Sequence, residues 1–178
     1  ITIGTPSLYF EDARDLNNTF TAHRSAHPRT SANGLRMIVS GANAGQFHAF
    51  RTSNGTEAWS FIPPNHLTKL KNIAHNVHPT SLLHSYFVDG PVTVVDAWLG
   101  SGNGKGKLLS EWNTLLIFAL GRGTTSYAWS SSSSCDTGIS ATYSAATPYY
   151  CGYHALNVTD SENPAYLWNI LTTAATGP

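Results

Sequence analysis

From residue 35 onward, apolar and polar residues alternate in short runs, the period of half-buried strands. Leu35–Ser40 is apolar and β-branched, and the turn after it, Gly41–Gly45, is rich in residues that tolerate positive φ. In Gln46–Arg51, Phe47, Ala49 and Arg51 fall on one face, and His48 and Phe50 on the other. Thr52-Ser53-Asn54-Gly55 predicts a hairpin with a type I′ turn, because Asn-Gly supplies the positive φ that turn requires. Glu57–Phe61 is the returning strand, and further strands are predicted at 85–88, 92–99, 112–120, 149–158 and 166–170. One stretch breaks the alternation. Leu67, Leu70, Ile73, Ala74 and Val77 share a helical face, with Pro64 placed to open the helix and Pro79 beyond its end, which predicts a helix over 65–77. Residues 1–34 read as a polar, irregular segment, GSGNGKGK at 100–107 as a flexible loop tip, and 124–152 as a long inserted loop. The expectation is a mainly β chain forming one domain over 1–178, with one helix and long loops.

Composition narrows the class. Charged residues make up only 11%, against about 25% in an average soluble domain, and their place is taken by 19 Ser, 20 Thr and 13 Asn. Lys+Arg (10) balances Asp+Glu (10), so no net field favours nucleic acid or an anionic membrane. Five Trp, eight Tyr and seven Phe argue against disorder. This is the balance of an extracellular β-rich protein. No apolar run approaches the ~20 residues that span a bilayer. Residue 1 is Ile with no leader before it, so a processed or excised chain is expected. The two cysteines, Cys135 and Cys151, occur without a CxxC or a third thiol; a disulfide is their natural pairing and two unpaired buried thiols the alternative.

The strands contain a repeat. Met37–Gly41, then His48-Ala49-Phe50, a turn, and Glu57-Ala58-Trp59 form one unit. Leu116–Gly121, then His154-Ala155-Leu156, a turn at 160–164, and Tyr166-Leu167-Trp168 form the second. Strand, glycine turn, an H-A-(F/L) strand, turn and a strand ending in Trp is the grammar of propeller blades. The same stretches carry a resemblance. VSGANAGQFHAF at 39–50, EAWSFIPP at 57–64, HSYFVDGP at 84–91, the Gly121-Arg122-Gly123 turn, and YHALNVTD at 153–160 with Asn163-Pro164 resemble the C-terminal β-propeller of PilY-type proteins, the pilus-tip-associated adhesins of type IV pili. The resemblance covers about Leu35 to Ile170.

It implies an incomplete, quinoprotein-like propeller of antiparallel blades. It also implies a non-enzymatic role in pilus biogenesis, surface or host-cell adhesion and twitching motility, at the exported cell surface or pilus tip. The implied partners are other blades of a parent protein, minor pilins, and a surface or host receptor. The family's calcium loop, Asp-x-Asp-x-Asp-Gly, has no counterpart here; Asp89-Gly90 and Asp160–Asn163 read as turns, and no cofactor is expected. The rivals are a fragment of a quinoprotein-type enzyme, which two blades could not close around a cofactor, and a purely structural repeat module.

The remaining chemistry is sparse. His23 and His27 are spaced i, i+4, and His75 and His78 i, i+3, with His84 beyond, but no Cys or carboxylate completes a zinc set at short spacing. His48 and His154 hold equivalent places in the repeat and read as hydrogen-bonded strand residues. No Gly-x-Ser-x-Gly elbow or phosphate-loop motif is present. The inserted loop is rich in Ser and aromatics and poor in charge, the composition of an adaptable binding surface. Tyr127, Trp129, Tyr143, Tyr149 and Tyr150 are its candidate contacts, stapled by Cys135–Cys151.

Overall fold

The computed structural model describes residues 1–7, 12–67, 87–121 and 153–170. They form eight strands and one α-helix: β1 (Thr2–Ile3), α1 (Thr19–Ala26), β2 (Met37–Gly41), β3 (Phe47–Arg51), β4 (Glu57–Phe61), β5 (Val92–Trp98), β6 (Trp112–Ala119), β7 (Tyr153–Asn157) and β8 (Ala165–Ile170). The strands make two four-stranded antiparallel sheets in sequence order, β1-β2-β3-β4 and β5-β6-β7-β8.

Alternation dictates the packing. In β2 and β3, Met37, Val39, Phe47 and Ala49 are buried while Ile38 and Ser40 face out. They meet Leu116, Phe118 and Leu156 of the second sheet in one core, completed by Ile3, Val88, Leu120 and Val158. Phe47 stacks on Phe118 at 4.7 Å between ring centroids, and Phe61 on Tyr166 at 5.6 Å.

Pairing makes the repeat structural. Ala49 pairs with Trp59 and Ala155 with Trp168. In both sheets the register then slips by a bulge, between Ala49 and Phe50 and between Ala155 and Leu156. Carried across the sheets, this register equates Val39 with Ile117, Phe47 with Tyr153, and Ile3 with Val95. The two sheets therefore meet through opposite faces. Leu116 and Leu156, on the contact face of the second sheet, are equivalent to Ile38 and Phe50 on the outward face of the first.

Several expectations need correction. The polar segment 1–34 is not irregular throughout: it adds strand β1 to the first sheet and holds α1. Asp15 nucleates that helix, its carboxylate accepting from the Thr19 N–H (2.9 Å), the Thr19 hydroxyl (2.6 Å) and the Phe20 N–H (2.9 Å). Phe20 then packs on Trp112 at 4.8 Å, and the Trp112 indole donates to the Thr19 hydroxyl at 2.8 Å. The helix predicted over 65–77 is described only at its start, where Pro64–His66 makes a single 3-10 turn; residues 68–77 lie outside the described residues. Of the strand predicted at 85–88, Phe87 and Val88 are described, and they form a buried bend.

The hairpin at 52–56 is not type I′. Gly55 has φ 74° but Asn54 does not adopt positive φ, and its side chain instead accepts from the Thr56 N–H and hydroxyl at 3.0 and 2.8 Å. Gly121, at φ 57°, lies where an added Cβ would come within 2.8 Å of Asp89 backbone, so the Gly-Arg-Gly turn begins with a residue that must lack a side chain. The loop at 100–107 is pinned at its end. Lys107 is 2% exposed, its ammonium held by the Asp12 carboxylate and lying over the rings of Trp98 (4.8 Å) and Trp112 (5.7 Å).

Candidate functional site

Most residues singled out from the sequence for binding lie outside the described residues. These are Cys135, Cys151, Tyr127, Trp129, Tyr143, Tyr149 and Tyr150, together with His75, His78 and His84. The repeat histidines are described, and their environments differ. His48 lies at the surface, its Nδ1 2.8 Å from Glu57 on the neighbouring strand. His154 is fully buried, stacked on Phe118 at 5.4 Å, with Nδ1 3.3 Å from the Tyr166 hydroxyl. Burial, reinforced by His66 nearby, pushes its pKa down to about 3.

The His23 and His27 rings lie against each other at the end of α1, tilted by 43° with centroids 4.5 Å apart. The His23 ring is fully buried, and neither of its nitrogens has a hydrogen-bond partner among the described residues. Burial, then repulsion from His27, lowers its pKa to about 4 despite Asp96 at 4.0 Å. Among the described residues no three His, Cys, Asp or Glu side chains converge as metal ligands. Asp160 spends its carboxylate on the turn, accepting from the Glu162 N–H (3.0 Å) and the Asn163 amide (2.9 Å).

Polar groups converge where the amino-terminal segment crosses the second sheet. Arg29, 3% exposed, donates to the carbonyls of Gly4 (2.8 Å) and Thr159 (2.8 Å) and to the Thr114 hydroxyl (3.0 Å). Thr114 in turn donates to Asp96 (2.7 Å), whose other oxygen accepts the Ser7 N–H (3.0 Å). Burial pulls the Arg29 pKa down, and the fields of Asp96 and Asp160 oppose that. Two cavities flank this guanidinium. One, of about 700 Å³, lies between β1 and β5; the other, of about 920 Å³, lies between the end of α1 and the 157–165 turn. Nothing in the sequence marked Arg29. It sits in a polar stretch without period, and its partners are 85 and 130 positions away.

A second contact set joins the two repeat units. The Trp59 indole donates to the Ser161 carbonyl (2.8 Å), the Ser161 hydroxyl to the Leu35 carbonyl (2.8 Å), and Arg51 pairs with Glu162. The Trp that ends the first unit thus grips the β7–β8 turn of the second. The repeat made Trp59 visible in the sequence, but not the turn it holds.

No family model and no solved structure matches the chain. Among curated proteins it is similar to a type IV pilus biogenesis factor PilY1 homolog of Xylella fastidiosa, 27% identical over 86% of this chain and 9% of the relative. A second Xylella PilY1 homolog is 31% identical over 53% of this chain and 6% of its own length. PilY1 of Pseudomonas aeruginosa is 29% identical over 75% of this chain and 8% of its own length. The chain spans under a tenth of the length of these relatives. Two facing antiparallel sheets with a shared bulge, joined by Trp59 and Arg51, thus make up a chain that is similar, over most of its length, to a short part of the PilY1 pilus biogenesis factors.

Proposed function

We propose that the chain is a pair of adjacent propeller blades in a PilY1-like protein, acting by binding in type IV pilus biogenesis. One observation carries the blade reading: equivalent strands of the two sheets meet through opposite faces. Units related in that way leave one used and one unused face each, so further units can be added in the same sense. Exposure agrees. Ile3 and Phe47 are fully buried, whereas their equivalents Val95 and Tyr153 are 43% and 44% exposed, on the face a third blade would cover.

The role in the pilus rests on similarity to proteins named as pilus biogenesis factors. An exported surface location, contacts with minor pilins or a receptor, and a non-enzymatic mode of action are part of the same proposal. So are the Cys135–Cys151 disulfide and the binding loop it would staple.

The test is genetic. Deleting codons 37–170 in frame from the gene that encodes this chain should reduce surface pili in shear fractions, shrink twitching zones and lower attachment to abiotic surfaces, and the intact allele should restore all three. Unchanged piliation, twitching and attachment with stable expression of the shortened product would overturn the proposal.

A further inference from the structure

The cavity of about 700 Å³ between β1 and β5 has the size of a small-ligand site. Its ionisable side chains are Arg29, Arg36 and Asp96. Arg29 forms its wall as a buried cation whose three side-chain hydrogen bonds all go to uncharged acceptors, leaving two of its five N–H groups unspent. Among the described residues no carboxylate pairs with it directly; Asp96 is reached only through the Thr114 hydroxyl. Removing a guanidinium from water without a directly paired anion is costly, and its field reaches both cavities that it lines. Arg36 adds a second guanidinium at the exposed rim, with no hydrogen bond or ion pair to its side chain among the described residues.

Two arginines and the Ile1 ammonium against one aspartate leave the lining with an excess of positive charge. That attracts an anion such as a carboxylate. A phosphate or sulfate dianion would carry its second charge into the field of Asp96. The uncharged lining combines hydroxyls, among them Thr2, Thr5, Thr30 and Ser31, with apolar surface to which Ile1 and Val94 contribute. Hydroxyls suit a ligand that is itself polyhydroxylated, and a carboxylate such as Asp96 readily accepts from a sugar hydroxyl.

We propose that this cavity binds an acidic sugar of the uronic acid class, its carboxylate paired with Arg36 and attracted by Arg29, and its hydroxyls met by the threonine and serine side chains. The proposal does not depend on the pilus reading.

The test uses the whole 178-residue chain, isotopically labelled, titrated with galacturonate, galactose or inorganic sulfate while amide shifts are followed. Galacturonate should shift the amides of Thr5, Thr30, Ser31 and Arg36 in a saturable way, and galactose should bind more weakly. Arg36→Gln removes an exposed side chain with no structural bond, so it should leave the spectrum folded and weaken galacturonate about tenfold, the size of one charge-assisted pair. Three results would each overturn the proposal. They are no shift at millimolar galacturonate, equal binding of sulfate and galacturonate, and affinity unchanged by Arg36→Gln.

Discussion

Single residues join distant segments here through charges and hydrogen bonds that are mostly hidden from water. Lys107 ends a glycine-rich loop, yet its ammonium is enclosed by two indole rings and the Asp12 carboxylate. Asp12 also holds Arg14 at 3.0 Å, and hydrogen bonds from Arg14 and Lys107 keep its carboxyl far below the usual range. Lys107→Ala would remove the cation from between the rings and detach the 12–18 segment from the second sheet. The expected cost is about 2 kcal/mol, the value of a desolvated cation–π contact, read as a lower urea midpoint at unchanged slope. An unaltered midpoint would show that the loop is held by its backbone alone. Arg29 works by the same logic with neutral partners, joining Gly4 to Thr114 and Thr159.

At the scale of elements, the repeat is expressed as a strand pair with a bulge and a terminal Trp. The bulge follows the Ala in both units because Ala49 and Ala155 each pair with the Trp of the next strand, and the strand then gains a residue. The two tryptophans share a position but not a load. Trp59 donates to Ser161, while the Trp168 indole has no hydrogen-bond partner among the described residues. Trp59→Phe should therefore destabilise the chain by about 1 kcal/mol more than Trp168→Phe, the net worth of one hydrogen bond. Thermal unfolding of the two variants measures the difference. Equal losses would mean that the grip on the β7–β8 turn contributes nothing.

For the whole molecule, two of the buried histidines, His23 and His154, couple folding to acidity. His23 and His154 stay neutral in the fold with pKa values near 4 and 3, against 6.5 when exposed. Below pH 6.5 the unfolded chain binds more protons than the folded one. Their stabilising effect is thus complete above that pH and is lost as the pH falls toward 4 and then 3. His23 alone accounts for about 3 kcal/mol over its window, at 1.36 kcal/mol per pKa unit. Urea midpoints should drop steeply between pH 7 and pH 4.5, and His154→Phe, which keeps a ring against Phe118, should flatten the curve. A midpoint independent of pH across that range would contradict the buried neutral state. At the same scale, Val95 and Tyr153 are exposed where their equivalents Ile3 and Phe47 are buried in the shared core.

Alternation and turn residues were enough to place β2, β3, β4, β5 and β6 within one or two positions, because each strand buries one side and the period of two is written in its own residues. The H-A-(F/L) repeat likewise foretold the equivalence of His48 with His154 and of Trp59 with Trp168, since both strands of each pair lie close in sequence. Helix α1 was hidden because its stability comes from the Asp15 carboxylate and from Phe20 packing on Trp112, 92 positions later, and its own residues carry little helical periodicity. The Lys107 enclosure, the Arg29 network and the two cavities were equally invisible. Each depends on which segments the packing of the two sheets brings together, and local sequence constrains a residue's own face but not its distant neighbours. Tertiary structure alone decided that equivalent histidines would differ, with His48 at the surface and His154 buried, because the sheets meet through opposite faces.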